Sequence, residues 1–367
     1  MKRNLAAACA LCLLIALLCT GCGGGDVVIE GESTVYSDSS GRDVEIPVEV
    51  ERVAPSGAVA QMILATLVPE KLCGLASTPG STQMKYFPES FLDLPTFGQL
   101  YGSKSTLNIE SLLTADAQLI IDLGDKKNGH AADMNTVQRQ TGVPTIFIET
   151  TLEKFPAAYR DLGKILDKEE EAEEMALFIE RTLAMAQENR AKIPEEERVS
   201  VMYGSGTSGL NCNARGSVQA DVIEYIGAVN AVYVNIEELS NSGGGNTINM
   251  EQLYIFDPDY IILTGGGPYA GLAEDSVWDD LTAVQADHFY EIPMEPYNWM
   301  GNPPSINRVL GIWWLGNLLY PEIYDYDMVE IAREFYRLFY RYELTVEEAE
   351  AMLANSSLKV RQQQEQQ

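Results

Sequence analysis

Residues 249–262 read NMEQLYIFDPDYII, and residues 108–121 read NIESLLTADAQLII. Aligned without a gap, the two stretches share Asn, Glu, Leu, Asp, Ile and Ile, and where they differ apolar character is largely kept. Asn108 and Asn249 stand where helix N-caps stand, followed by about two helical turns of apolar–polar alternation. An Asp-containing turn comes next, then a β-branched run that reads as a buried strand. Each copy is therefore a helix, a tight turn and a strand, one repeat unit of an α/β sheet. The first copy runs on into DLGDKK and the second into LTGGG. Both put Gly just past the strand's carboxyl end, where open α/β sheets keep their ligands. The repeat predicts two related α/β lobes.

Working outward, 367 residues suit about two domains. Fifty-four acidic residues face 25 basic ones, a formal charge of −29. Such a chain does not hold nucleic acid by counterion release, and an anionic membrane surface repels it. At the amino terminus, MKRN is followed by the apolar LAAACALCLLIALL and the small-residue CTGCGGG. That apolar run is shorter than the roughly 20 residues needed to span a bilayer, so residues 1–21 read as a signal peptide. Thr20-Gly21-Cys22 looks like a bacterial lipobox, with Cys19 where Leu is usual three positions before Cys22. Cys22 is then the expected lipidated amino terminus, anchoring an extracytoplasmic protein to the bacterial cell membrane. Cys73 and Cys212 remain, in different lobes, and read as buried thiols packing as small hydrophobes.

Residues 22–35 form a tether, and YSDSSGRDVEIP after it reads as a hairpin turning at Ser-Gly. An α/β lobe follows over 36–168. Residues 169–193 give one uninterrupted helical pattern, acidic at its start and basic at its end as the helix dipole favours. Its stripe of Met175, Ile179, Thr182 and Ala186 is narrow, so the helix is expected to lie on both lobes and be buried deeply in neither. A second α/β lobe spans 194–353, and 354–367 is a polar tail. The fold class expected is α/β, two Rossmann-like lobes joined by one long helix, with a ligand cleft between them.

The lipobox, the paired lobes, the connecting helix and the segments GRDVEIPVEVERVAPSGAVAQMILAT, LNIESLLTADAQLII and FYEIPMEPYNWMGNPPSINRVLGIWWLGNLLYPEIY together resemble the helix-hinged (class III) substrate-binding lipoproteins of bacterial ABC importers. The resemblance covers about residues 36–353. It implies a binding protein rather than an enzyme, expected to be a monomer with no resident cofactor, partnering an ABC permease and its ATPase. The solutes it implies are ferric siderophores, haem or corrinoids, with molybdate or tungstate as the alternative; a surface sensor or adhesion domain on the same scaffold is a further one. Two histidines, His130 and His288, are too few for a cage around a bare Mn or Zn ion, and both read as surface groups. A bulky metal chelate gripped by aromatic faces and scattered polar groups fits better.

Loops at strand carboxyl ends supply the candidate ligand contacts. They are Ser56, Gln99, Tyr101, Lys126 and Thr150 in the first lobe, and Tyr203, Ser205, Tyr297 and Trp299 in the second. The resemblance marks Tyr101, Tyr203 and Trp299 as pocket-lining rings. Arg308 either meets an oxyanion or ties its helix to an acidic neighbour. YGSGTSG lacks the Lys-Ser/Thr ending of a P-loop, the spacing of a dinucleotide fingerprint and the G-x-S-x-G elbow. In the family, one Glu on each lobe meets Arg residues of the permease, and the matching positions are Glu110 and Glu224.

Overall fold

The structure, a computed structural model, describes residue 29 and residues 31–102, 105–240 and 245–356. Cys22, the signal peptide and most of the tether and tail lie outside the described residues.

An antiparallel hairpin comes first, β1 (Ser33–Ser37) on β2 (Asp43–Pro47). Asp38 shapes its turn by accepting from Ser40 and from the Arg42 guanidinium. The first lobe is a parallel sheet of order β3-β4-β5, built from Val53–Pro55, Leu119–Gly124 and Thr145–Glu149. Helix α1 (Ala58–Leu67) follows β3, α2 (Ile109–Thr114) precedes β4, and α3 (His130–Thr141) links β4 to β5. In the second lobe, β6 (Ser200–Ser205) lies between β10 (Tyr260–Leu263) and the short antiparallel β7 (Asn211–Cys212). Strand β8 (Val229–Asn230) also pairs with β6, while β9 (Asn246–Thr247) and β11 (Phe289–Glu291) form the sheet's two edges.

The two repeat copies fold alike. In the first, Asn108 caps α2 by accepting from the Ser111 N–H; in the second, Asn249 caps Met250–Phe256 by accepting from Gln252. The shared Asp takes a left-handed conformation in both, Asp116 at φ 55° and Asp257 at φ 33°. Asp tolerates that region better than most residues, so one Asp turns each helix into its strand.

Between the lobes run α4 (Phe155–Leu166) and the long connecting helix α5 (Glu169–Arg190). At 1.5 Å per residue, α5 is roughly 33 Å long. The shallow burial expected of it is corrected: Ala172, Met175, Phe178, Ile179, Leu183 and Ala186 are all buried. They share one continuous core with both lobes. Phe178 packs edge-on against Phe339 at 5.8 Å, bringing helix α6 (Met328–Tyr340) onto the connecting helix. Just beyond α6, Arg341 donates from both terminal nitrogens to the Thr66 and Leu67 carbonyls, each at 2.8 Å. A second-lobe side chain thus satisfies the orphan carbonyls at the end of a first-lobe helix.

Candidate functional site

A cleft of about 460 Å³ opens at the carboxyl ends of the first-lobe strands. Its floor is the end of β4, where the chain passes from Ile121 to Asp122 and on to Gly124-Asp125-Lys126-Lys127. One wall is the start of α1, residues Gly57–Ala60, where the first-turn amides of a helix have no intrahelical acceptor. Gly57 matters to that wall: a Cβ there would fall 2.3 Å from Gln99 Oε1. Val218, Gln219 and Pro304 face the cleft from the second lobe.

Four side chains meet at the floor. Asp122, almost wholly buried, accepts from Ser56 Oγ on one carboxylate oxygen. Its other oxygen receives Tyr101 Oη at 2.8 Å and lies 2.5 Å from His130 Nε2. The Lys127 N–H donates to His130 Nδ1 at 3.3 Å, which leaves the ring proton on Nε2, pointing at Asp122. The imidazole also lies face-on to Phe147, with 3.7 Å between ring centroids. Burial and the Asp122 carboxylate push the Tyr101 hydroxyl's pKa far above its ordinary value. No Ser–His contact exists here, since Ser56 and His130 both address the carboxylate, so the cluster is not a nucleophilic relay.

The rim is charged. Lys126 and Lys127 are exposed, and Lys126 Nζ donates to the Ser39 carbonyl of the hairpin at 2.8 Å. Burial raises the Asp125 carboxyl's pKa despite Arg308 and Lys127 nearby. Among the described residues, no three His, Cys, Asp or Glu side chains gather where they could hold a metal ion.

The cleft therefore brings together Ser56, Gln99, Tyr101 and Lys126, and leaves the other expected contacts out. Tyr203 is corrected: strand β6 is covered on both faces, so Val201 and Tyr203 enter one core and Met202 the other. Trp299 is corrected too. It has no exposed surface and donates its indole N–H to the Glu295 carbonyl at 3.1 Å, while its own carbonyl sits against Gly311 of the helix Asn307–Leu319. Tyr297 is buried beside Phe87. Ser205 is the last residue of β6, in register with Asn211 of β7 and donating to the Asn211 carbonyl at 2.8 Å, because the chain doubles back into the sheet instead of lining the cleft. Thr150 is buried with its hydroxyl unpartnered.

Arg308 ties its helix to an acidic neighbour. It pairs with Asp221 at 2.8 Å and reaches the Thr150 carbonyl across the lobes at 3.3 Å. Burial outweighs that guanidinium and pushes the Asp221 carboxyl up to about 6. His130 is corrected from surface group to buried floor residue, and His288 is half-buried, stacked on Tyr260 at 4.4 Å. Asp122, Asp125, Lys127 and His130 went unmarked in the sequence, although DLGDKKNGH, a strand end followed by a helix start, carries all four. Glu110 is exposed; Glu224 is half-buried, with Oε1 shielded and unpartnered.

The family model described as "Periplasmic binding protein" matches residues 53–296. The molybdate-binding protein MolA of Haemophilus influenzae is 21% identical over 266 residues, covering 65% of this chain and 72% of its own. The iron(3+)-hydroxamate-binding protein FhuD of Bacillus subtilis is 26% identical over 153 residues, 40% of this chain and about half (47%) of its own. An ABC transporter solute binding protein from Sulfurospirillum deleyianum superposes with a TM-score of 0.76 at 26% identity, covering 88% of this chain and 98% of that one. The chain belongs to the periplasmic binding protein family, solute-binding proteins of ABC importers that deliver small ligands to a permease and are not enzymes.

Proposed function

We propose that the chain captures a metal chelate in the first-lobe cleft and hands it to its permease from a lipid-anchored position at the membrane. The observation that carries this reading is the pairing of a cationic rim, Lys126 and Lys127, with an aromatic ring, Tyr101, over a cleft of about 460 Å³. That volume lies within the roughly 300–1,000 Å³ of small-molecule sites. Metal-bound oxygens carry negative charge that the lysines and the α1 amides meet, while the organic shell lies on Tyr101. Haem, corrinoids and ferric siderophores are the candidate chelates. The iron-hydroxamate relative supports the siderophore class.

A bare oxyanion is the second reading. The free amides at the start of α1 favour it, as does the molybdate-binding relative. Intrinsic fluorescence of the purified chain, titrated with ferrichrome, haemin, cobalamin and molybdate, separates the two. The reading expects saturable quenching by a chelate, and preference for molybdate would replace it with the second.

Anchoring is proposed through Cys22. Mass spectrometry of membrane-extracted protein is expected to find acyl mass on that residue, and an unmodified Cys22 in a soluble mature form would refute it. For docking, Glu110 remains a candidate. Its partner on the second lobe is better sought at Glu251, the residue that aligns with Glu110 in the repeat and is likewise exposed. Apolar side chains stand beside each glutamate, Ile109 and Leu113 on one lobe, Tyr254 and Ile255 on the other.

A further inference from the structure

We propose that Asp122 determines solute specificity by turning the hydroxyls of Ser56 and Tyr101 into acceptors, so that this face of the cleft selects a solute bearing hydrogen-bond donors and rejects a fully deprotonated oxyanion. The inference rests on the cleft being the solute site.

Proton positions carry the argument. A carboxylate only accepts hydrogen bonds, and Asp122 receives Ser56, Tyr101 and His130. A hydroxyl has one proton and two lone pairs. With their protons committed to Asp122, Ser56 and Tyr101 offer the cleft lone pairs only. His130 cannot supply a donor instead: Nδ1 is occupied by the Lys127 N–H, and the Nε2 proton points at Asp122. Turning a hydroxyl outward would take a donor from a buried carboxylate, and buried charge is costly to leave underpaired. Among the described residues, Ser56 alone meets Oδ1, whereas Tyr101 and His130 meet Oδ2.

The cleft thus has two polarities. The α1 amides, Lys126 and Lys127 present protons, and the Asp122 floor presents lone pairs around a negative charge. Molybdate at neutral pH has acceptors alone and satisfies one side at the expense of the other. A chelate such as ferrichrome has metal-bound oxygens for the first side and peptide N–H groups for the second.

The test has two arms. In the ligand-free protein, ¹⁵N NMR of the two histidine rings at neutral pH reads the tautomer directly. The inference expects His130 to carry its proton on Nε2, and an Nδ1–H ring overturns it. In titrations, Tyr101→Phe keeps the ring and leaves His130 on Oδ2. It is expected to weaken ferrichrome about ten-fold while leaving molybdate as tight as before or tighter. Equal weakening of molybdate would mean that the hydroxyl donates to the solute, and overturns the inference. If the wild type binds molybdate and not ferrichrome, the chelate reading fails, and the inference fails with it, because this face should reject a fully deprotonated oxyanion. If ferrichrome binds and Tyr101→Phe weakens both probes equally, the inference fails while the chelate reading stands. If neither probe binds, the ring tautomer decides it.

Discussion

The carboxyl ends of β4 and β10 are the same place in two copies of one repeat, and they do different things. Strand β4 carries Asp122 near its end, followed by Asp125, Lys126, Lys127 and, at the start of the next helix, His130, all of them lining the cleft. After β10 the chain carries Thr264 and three glycines, with no charged side chain. The elements before the strands match closely, with the same cap, the same left-handed Asp and the same exposed Glu. The two copies share what builds the fold and what faces outward, and they differ in the side chains at the strand end. The second lobe contributes Val218, Gln219 and Pro304 to the cleft, while its large aromatics hold the core.

The sharpest break of that contrast is Trp299→Ala. Since Trp299 is fully buried, its loss is expected to cost about 3–5 kcal/mol of stability in denaturant unfolding. Affinity per folded molecule should hold. Weakened binding at unchanged stability would put Trp299 back in the cleft. Gly311→Ala comes next. Ala is ordinarily the better helix residue, but here its Cβ would lie 1.9 Å from the Trp299 carbonyl oxygen. Overpacking of that kind is expected to cost roughly 1–3 kcal/mol, and a raised melting temperature would contradict the packing.

On the first lobe the expected effects are reversed. Lys126→Gln with Lys127→Gln should leave unfolding unchanged, because both side chains are exposed. Chelate affinity should fall roughly ten-fold, about 1.4 kcal/mol, and less so at high salt. Glu110→Lys with Glu251→Lys should slow transporter assembly and uptake without touching solute affinity, since rim charges steer encounter. Normal uptake by that double variant would remove both residues from the docking surface.

The smallest effect concerns pH. Burial holds the Asp221 carboxyl near 6 in the folded chain, above its ordinary 3.8. Because the folded pKa is the higher one, the folded state takes up this proton first as pH falls. Asp221 therefore contributes most to stability at pH below about 4. That contribution is lost as pH rises through about 6. Asp221→Asn should flatten the dependence over that window, and an unchanged pH profile of unfolding would count against the burial argument.

How much of this was legible in the sequence follows the range of the interactions. Asn108, Asn249, Asp116 and Asp257 act on backbone within a few residues, so the repeat and its turns could be read directly. Ser56, Gln99, Tyr101 and Lys126, marked by the rule that ligands sit at strand ends, all line the cleft. The same rule misplaced Tyr203, Ser205 and Trp299. Whether β6 ends in a loop or a hairpin depends on pairing with Asn211–Cys212, and Trp299 is buried by Gly311, whose helix has to pack there first. Nothing in the sequence marks Asp122, and His130 reads as a surface group. Only folding puts Ser56 and Tyr101 around the carboxylate between them.

The asymmetry of the two strand ends can be measured directly by amide hydrogen exchange with and without ferrichrome. Protection is expected in residues 56–60 and 122–130 of the first lobe, with residues 264–268 unchanged. Protection confined to residues 264–268 and the β6–β7 turn, with the first-lobe segments unaffected, would contradict it.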